Sequence, residues 1–325
     1  MKKLVLSMAA LSAAALPCHA LAWGEVGHRL VAAVAWQYLT PAAQAKIKAL
    51  LDQDTDTLTP SDFADRANWA DKYRDSDRDS KGPAYTGTSN WHFVDIPAVK
   101  ADSVADAEAA EASVCPHPTL ADGQAASVGA PADSCVIDKI KQFEVELANP
   151  ATPVKEQILA LKFLEHFVGD VHQPFHAIDD QDKGANCVSI AEGPRNSESL
   201  HSYWDTGALL QLLKKPQSSD YNAPSPVNPA EIEAIAKTWA TDVTPEQKTA
   251  WSVDDPALWA AESAVLAHNV GYNLHMSKLP TCATDNRNEP IVPPAHYEQN
   301  AQAVVKEQIE KAGVRLAYVL NKIEG

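Results

Sequence analysis

Helix-start signals recur along this sequence and restrict the folds open to it more than any other feature. The stretch TPAAQAKIKALL puts Thr40 at an N-cap position and Pro41 at the first helical position, where the missing N–H of proline has no helical partner to lose. TPSDFADRANWADKYR repeats the pattern with Thr59 and Pro60. Glycine is sparse, with 13 residues in 325, and strand signals are few. The sequence therefore predicts an all-α fold.

The helical period continues along the chain and is interrupted by three polar stretches. The period predicts further helices at residues 137–148, 153–170, 198–213, 229–240, 255–277 and 296–323. The interruptions are residues 98–135, the stretch KKPQSSDYNAPSPVNP and the run Pro280–Pro294, which we expect to be long surface loops. None of them holds enough apolar residues to separate two cores. We therefore predict a single domain over residues 23–325.

The first 22 residues have the layout of a secretory signal peptide. Two lysines precede an apolar run over residues 4–16, and an Ala-Leu-Ala sequence that suits signal peptidase ends at Ala22. Lipoprotein processing at Cys18 is the alternative, but Pro17 is the wrong residue before it. Cleavage after Ala22 leaves 325 − 22 = 303 residues that begin with Trp23. We expect this chain to be secreted or periplasmic.

Cysteine usage agrees with an oxidising compartment. Four cysteines remain after cleavage, and they predict two disulfides, with four buried free thiols as the alternative. Three pairings are possible. Because Cys115 and Cys135 lie in one predicted loop, we favour a bond between them, which leaves Cys187 to pair with Cys282.

The formal charge of −16 falls to −18 when the two signal-peptide lysines are removed (−16 − 2). Such acidity argues against a protein that binds nucleic acid through a broad basic surface. It does not argue against a nucleic-acid enzyme whose local positive charge comes from bound metal ions. No apolar run after the signal is long enough to span a bilayer.

The motif HFVGDVHQPFH concentrates metal-ligand residue types. His166 and Asp170 are four residues apart, so a helix places them on one face, and Pro174 is expected to end that helix and turn His176 back toward it. A lone histidine here would be read as a core residue. The cluster of three favours a metal site.

Similar pairs occur elsewhere in the chain. HSYWD holds His201 and Asp205 at helical spacing, for which a surface ion pair is the alternative reading. NWADKYR contributes Asp71, NWHFVD contributes His92, and WGEVGH contributes His28 at the head of an apolar helix. Nitrogen and carboxylate ligands without thiolates suit zinc, and several such ligands suit a catalytic site.

Trp23 becomes chemically important if cleavage occurs as predicted. Its α-amino nitrogen and carbonyl oxygen can then bind one metal ion, with His28 about one helical turn away. An α-amine has a reference pKa of about 7.7–8.0 and deprotonates readily for a metal. The alternative is that Trp23 is only the first aromatic residue of the core.

Six motifs together resemble one known family. WGEVGH, NWAD, WHF, HFVGDVHQPFH, HSYWD and AGVRLAYVLN follow the order and spacing of the zinc-dependent single-strand nucleases, the type I nucleases typified by mung bean nuclease. The resemblance covers essentially the whole mature chain. It implies a mostly helical single domain of the zinc phospholipase C and single-strand nuclease type, with three zinc ions at the bottom of a cleft.

The resemblance also implies a role for individual residues. The first zinc ion would be held by Asp71, His92, His166 and Asp170. The second would be held by His176, His201 and Asp205, and the third by the terminal amine and carbonyl of Trp23 with His28 and Asp170. Arg74 matches a phosphate-contacting position, and Asp71 is also expected to orient the attacking water. Phe93 and Asp95 resemble residues that stack on and hydrogen-bond a base, although Phe93 could equally belong to the core.

The implied function is an exported, monomeric endonuclease that cleaves single-stranded DNA and RNA to 5′-phosphate products. Whether it also acts as a 3′-nucleotidase is left open by the sequence, and no membrane or stable protein partner is implied. A zinc phospholipase C and a non-catalytic exported zinc-binding protein are the alternatives. Arg74, WHF with Asp95 and the AGVRLAYVLN ending favour the nuclease branch over the phospholipase.

Overall fold

The structure is a computed structural model that describes residues 23–324, apart from 81–87, 116–134, 192–196, 219, 221–222, 277 and 285. The predicted signal peptide at residues 1–22 lies outside the described residues. So does most of the second half of the predicted loop at residues 98–135.

Helices make up most of the described chain, and the few strands are short. The first six helices are α1 (Glu25–Trp36), α2 (Pro41–Leu51), α3 (Phe63–Arg66), α4 (Trp69–Ser80), α5 (Val104–Glu111) and α6 (Val136–Ala148). They are followed by α7 (Val154–Asp170), α8 (Leu200–Ser202), α9 (Ala208–Leu212), α10 (Pro229–Asp242), α11 (Pro245–Trp251), α12 (Pro256–Leu266) and α13 (Tyr297–Leu320). The all-α prediction is confirmed.

Shorter elements connect these helices. Single 3₁₀ turns cover Thr88–His92, Ala98–Lys100, Pro174–His176 and Asn321–Glu324, and π turns cover Tyr203–Gly207 and Ala267–Gly271. The strands are β1 (Ile96–Pro97), parallel to β2 (Ile178–Asp179), and β3 (Ser189–Ile190), antiparallel to β4 (Glu198–Ser199).

One of the two Thr-Pro helix starts is confirmed and the other is wrong. The Thr40 hydroxyl accepts a hydrogen bond from the amide of Ala43 and caps α2. The helix predicted to start at Pro60 is α3, which begins instead at Phe63 with Asp62 as its N-cap. Thr59 is buried and does not act as the N-cap. Its carbonyl and hydroxyl oxygens both accept hydrogen bonds from Arg66.

Other boundaries also differ from the prediction. The predicted loop at 98–135 contains α5, whose N-cap Ser103 gives a local start signal although the helix has no apolar stripe. The helix α11 was not predicted, yet its capping box of Thr244 and Gln247 specifies it locally. The helix predicted at 255–277 ends with the π turn at Gly271, whose carbonyl accepts a hydrogen bond from Tyr297.

Two helices lie at the centre of the fold and carry candidate site residues. Every residue of α1 from Val26 to Ala35 is buried, and so is every residue of α7 from Gln157 to Asp170. Helix α1 packs against α3, α7, α10 and α13. A Cβ at Gly313 of α13 would lie 2.5 Å from Val34, so this glycine permits the close approach of α13 to α1. Central burial of this kind holds the side chains on α1 and α7 in fixed positions.

No helix in the described part of the chain is both long and apolar enough to cross a membrane.

Two disulfides join the cysteines in the favoured pairing, Cys115 with Cys135 and Cys187 with Cys282. The first bond closes a sequence separation of 20 residues and the second a separation of 95. In the chain-entropy description, the longer loop gives the larger stabilisation, about 4–5 kcal/mol against about 3 kcal/mol.

We expect removal of the long-range bond to be the more damaging change. Cys187→Ser with Cys282→Ser should lower the free energy of unfolding by more than Cys115→Ser with Cys135→Ser, because it frees a longer loop in the unfolded chain. Denaturant unfolding of both double variants measures the difference. An equal loss in the two would contradict this account.

Candidate metal centre

The imidazoles and carboxylates expected from the sequence gather into two adjoining buried groups. The first group is His28, Asp71, His92, His166 and Asp170. The second group is His176, His201 and Asp205. Within them, sets of three ligand atoms lie within 4.8 Å of one another, close enough to hold a metal ion.

Asp170 is central to the first group because its two oxygens face different partners. Its Oδ2 lies 2.9 Å from Nδ1 of His92 and 3.3 Å from Nε2 of His166, one turn earlier on α7. Its Oδ1 lies 3.4 Å from Nε2 of His28 on α1. One carboxylate can therefore serve two cation positions.

Asp71, on α4, is the remaining carboxylate of the first group. Its Oδ1 lies 3.4 Å from Nε2 of His166 and 3.7 Å from Nδ1 of His92. The same oxygen is 2.9 Å from Nη1 of Arg74. Asp71 thus faces both the imidazoles and a fixed positive charge.

The second group lies where three local elements meet. His176 ends a 3₁₀ turn, His201 lies on α8 and Asp205 lies in the following π turn. The Nε2 of His201 is 3.3 Å from Oδ2 of Asp205, and the Nε2 of His176 is 4.0 Å from Oδ1. The Nδ1 of His176 contacts the carbonyl of His92 at 2.8 Å, which joins the second group to the first.

Backbone carbonyls fix the tautomer of three of these histidines. Nδ1 lies 2.7 Å from the Ala67 carbonyl in His166 and 2.6 Å from the Gly184 carbonyl in His201, and His176 makes the similar contact with His92. A carbonyl oxygen can only accept, so Nδ1 carries the proton. Nε2 is therefore the atom through which each ring, when it is neutral, presents a lone pair to the carboxyl groups, the arrangement found behind metal-bound histidines.

These facing atoms fit a cation. Nε2 of His176 and of His201 makes no hydrogen bond among the described residues, although both atoms are buried, and the same holds for both nitrogens of His28. A lone pair opposite a carboxylate oxygen is repulsive unless a positive charge lies between them. Zinc at about 2.0–2.1 Å from each tetrahedral ligand separates the ligands by about 3.4 Å. The donor set and its spacing therefore suit zinc.

Electrostatics differ between the two groups. In the first, burial opposes ionisation of Asp71, yet the charges of Arg74 and His166 hold its pKa well below its ordinary value. Burial likewise opposes protonation of His166, yet Asp170 and Asp71 raise its pKa to about 10. Without a metal this ring holds a proton on Nε2, and a cation bound there would take the place of that proton.

In the second group burial dominates. It raises the pKa of Asp205 well above the ordinary value, and burial together with the neighbouring His176 lowers the pKa of His201 to about 3. The second group therefore keeps its imidazoles neutral, as metal ligation requires.

The start of the described chain packs directly on these groups. Trp23 is fully buried, and the amide of Gly24 donates a hydrogen bond of 2.8 Å to the carbonyl of Asp205. A Cβ at Gly24 would lie 2.2 Å from Oγ1 of Thr206, so a larger residue here would displace the Thr206 hydroxyl. The predicted new terminus thus lies beside the segment that carries Asp205.

The sequence is similar to a known family of proteins over nearly its whole length. The family model described as S1/P1 Nuclease matches residues 23–324. The chain belongs to the S1/P1 nuclease family. Endonuclease 4 of Arabidopsis thaliana is 27% identical over 94% of this chain and 90% of its own length. Nuclease S1 of Aspergillus oryzae is 26% identical over 93% of this chain and 91% of its own length. Nuclease P1 of Penicillium citrinum is 25% identical over 93% of this chain and 98% of its own length.

Membership of the S1/P1 nuclease family makes the chain a nuclease, a hydrolase that acts on phosphodiester bonds of nucleic acid. The resemblance inferred from the six motifs is confirmed. The match begins at Trp23, the residue that follows the predicted cleavage site.

The structure of this S1/P1 nuclease places Arg74 beside the first group. Its Nη1 contacts Asp71 and its Nε donates to Asp75 at 3.2 Å. The remaining nitrogen, Nη2, is buried and makes no hydrogen bond within the described chain. One donor of the guanidinium fork is thus available to a further acceptor.

The two candidate base-contacting residues follow His92 directly. Phe93 is half-buried and is absent from the apolar core cluster of the described residues, which disfavours the core alternative. Asp95 is exposed as a residue, yet partial burial of its carboxyl, aided by the charges of Asp179 and Asp182, raises its pKa to about 6.

Two further residues with ligand-type side chains, His172 and Glu111, belong to neither group. His172 is buried, its Nδ1 donates to the Val168 carbonyl at 2.7 Å and its Nε2 accepts from Arg315 at 2.9 Å, so it is not a surface residue and presents no lone pair to the ligand groups. Glu111 lies close to Cys115 and Cys135, but the disulfide removes both thiolates as ligands.

The role of Gly169 in the nuclease is not evident from the sequence. A Cβ at this position would lie 2.8 Å from Nδ1 of His28 and 3.1 Å from its Cε1. The glycine therefore makes room for the His28 ring against α7. The motif HFVGDVHQPFH contains Gly169, but only the distance to a remote helix reveals its purpose.

We expect Gly169→Ala to displace the His28 ring and weaken metal retention while the helical fold persists. Zinc per chain after mild chelation measures the effect, and circular dichroism checks the fold. Gly313→Ala is the matched control, because its Cβ would instead meet Val34 in the core. That control should lower stability and keep the full metal content; an equal loss of metal in both would contradict the assignment.

Proposed function

We propose that this S1/P1 nuclease is an exported, zinc-dependent endonuclease that cleaves single-stranded DNA and RNA and leaves 5′-phosphate ends. The observation that carries the proposal is the set of buried imidazoles whose Nε2 atoms face buried carboxyl groups at 3.3–3.4 Å. Residues 23–325 form its single catalytic domain.

Three zinc ions are proposed, and the ligand groups support this number. Asp71, His92, His166 and Asp170 hold the first ion, and His176, His201 and Asp205 hold the second. The amine and carbonyl of Trp23, with His28 and Asp170, hold the third. The two-sided placement of Asp170 supports its part in two of these positions.

When bound, zinc supplies a Lewis acid that lowers the pKa of water toward about 7, so that water becomes a nucleophile at neutral pH. Asp71 orients the attacking water through its carboxylate. Arg74 offers Nη2 to a phosphoryl oxygen and balances the charge that develops there. In-line attack forms a bond from the water oxygen to phosphorus and breaks the bond from phosphorus to the 3′ oxygen. The 3′ oxygen takes up a proton and leaves as a hydroxyl, and the phosphate stays on the 5′ oxygen. The same displacement would release phosphate from a 3′-mononucleotide.

A preference for single strands follows from the position of Phe93 and Asp95. Phe93 offers a partly exposed ring on which an unpaired base can stack, and Asp95 offers a carboxyl to the base edge. A base in a duplex cannot turn into this position while its phosphate stays near Arg74. Stacking tolerates any base, so we propose little sequence preference.

Export to an oxidising compartment, either the periplasm or the medium, is proposed from two features. The first is the predicted signal peptide at residues 1–22, and the second is the presence of two disulfides. We propose that the mature enzyme acts as a monomer.

The decisive experiment digests denatured and duplex DNA with the mature protein before and after chelation, with zinc counted per chain. We expect rapid digestion of denatured DNA and of RNA, slow digestion of duplex, and loss of activity that added zinc restores. Phosphatidylcholine serves as the substrate of the phospholipase alternative and should stay intact. Full activity after complete zinc removal would refute the mechanism.

The role of the new terminus can be tested by extending it. A mature chain with Gly-Ser added before Trp23 should bind one zinc ion fewer, because the amine has moved away from His28. The same two residues added after Gly325 are the control. An unchanged zinc count in the N-terminally extended chain would remove Trp23 from the site.

Arg74 can be tested by substitution. Arg74→Ala should lower kcat/KM on denatured DNA by about 100-fold, which is typical of losing one donor to a developing charge. The assay contains excess zinc, so that the lost contact between Arg74 and Asp71 does not empty the site. Arg74→Lys should retain part of the activity, since it keeps the charge and loses the planar fork. Lys155→Ala, exposed at the start of α7, is the control. Normal activity in Arg74→Ala would rule out a phosphate contact.

A further inference from the structure

Gln173 lies between Asp170 and His176 in the chain and is not among the proposed ligands. Its side chain is fully buried, where an amide must find partners on both ends. It precedes the 3₁₀ turn Pro174–His176, and its backbone amide donates to the carbonyl of Asp170 at 2.9 Å. The residue therefore lies at the junction of the two ligand groups.

The orientation of the Gln173 amide is fixed by chemistry. Its Oε1 accepts a hydrogen bond of 2.6 Å from the backbone amide of Phe175, which can only donate. The opposite end must then be the NH₂ group. That Nε2 donates to Oδ1 of Asp205. An amide flipped the other way would place two acceptors in contact.

This contact gives the two oxygens of the Asp205 carboxylate different partners. Its Oδ1 is occupied by Gln173, and its Oδ2 lies 3.3 Å from Nε2 of His201. Rotation of the carboxylate would break the bond to Gln173, which the buried surroundings cannot replace. The carboxylate is thus held with one chosen oxygen toward His201.

We propose that Gln173 is a positioning residue. It fixes Asp205 as a ligand through one oxygen and fixes the position of the second group relative to the first. This inference rests on the proposed zinc-dependent function. The three histidines with fixed tautomers are oriented by backbone carbonyls, and Asp71 by Arg74. Gln173 supplies the corresponding support for Asp205. Outer partners of this kind typically change metal affinity by about 10–100-fold when removed.

A purely structural role is the competing explanation, since Gln173 also caps the 3₁₀ turn through Phe175. Gln173→Glu separates the two roles. A glutamate keeps an acceptor for the Phe175 amide and replaces the donor to Asp205 by a carboxylate oxygen. The cap is retained while the support for Asp205 becomes repulsive.

The experiment measures zinc per chain and zinc affinity by chelator competition, together with the melting temperature of the metal-free protein. Gln142→Glu is the matched control, because Gln142 is also a buried glutamine that donates to a carboxylate, Glu146, on α6 away from both groups. Gln173→Met, which removes the amide without adding charge, is the second variant if Gln173→Glu does not fold. Cobalt in place of zinc reports ligand geometry through its visible spectrum.

We expect both Gln173 variants to bind one zinc ion about 10–100-fold more weakly and to bind the other ions with unchanged affinity. The cobalt spectrum should change for that ion, and the metal-free Gln173→Glu protein should lose no more melting temperature than metal-free Gln142→Glu, which places a carboxyl at a comparable buried contact. Gln142→Glu should keep every ion. Unchanged zinc affinity in both Gln173 variants, or an equal loss in Gln142→Glu, would overturn the proposal. A wild-type protein that binds no zinc would instead refute the proposed function.

Discussion

The site depends on one arrangement: imidazole rings held so that their Nε2 atoms face buried carboxyl groups. Backbone carbonyls make this possible by accepting a hydrogen bond from Nδ1–H of His166, His176 and His201. The carbonyls come from separate parts of the chain, so each ring is oriented by the tertiary structure. A set of facing acceptors in a buried place is unfavourable alone, and a cation turns it into a favourable one.

The burial of α7 explains how such a set can persist. Fourteen consecutive residues of this helix, Gln157–Asp170, are buried. Close packing around the helix leaves little freedom for the His166 and Asp170 side chains. The same packing sets their distance from His28 on α1, where Gly169 leaves space for the ring. The core and the site are thus built from the same contacts.

The sequence predicted those features that depend on local spacing. The helix cap at Thr40 and the pairing of imidazoles with carboxylates at i, i+4 are of this type. It was wrong at Thr59, whose oxygens accept hydrogen bonds from Arg66 and do not cap a helix, and it missed α11 despite a local capping box. The purposes of Gly169 and Gln173 were hidden for a different reason, because each depends on a residue from another segment. Distances between segments are information that spacing along one chain lacks.

The loop before Cys187 gives the fold a chemical sensitivity to its surroundings. Gly184, with a φ of +58°, turns its carbonyl toward His201, and the neighbouring Gln181 carbonyl accepts from the amide of Cys282. The disulfide from Cys187 to Cys282 closes over this loop. The bond therefore tethers the same peptide segment that orients the His201 imidazole. A chain in reducing surroundings lacks this tether, and the segment is then held only by its non-covalent contacts.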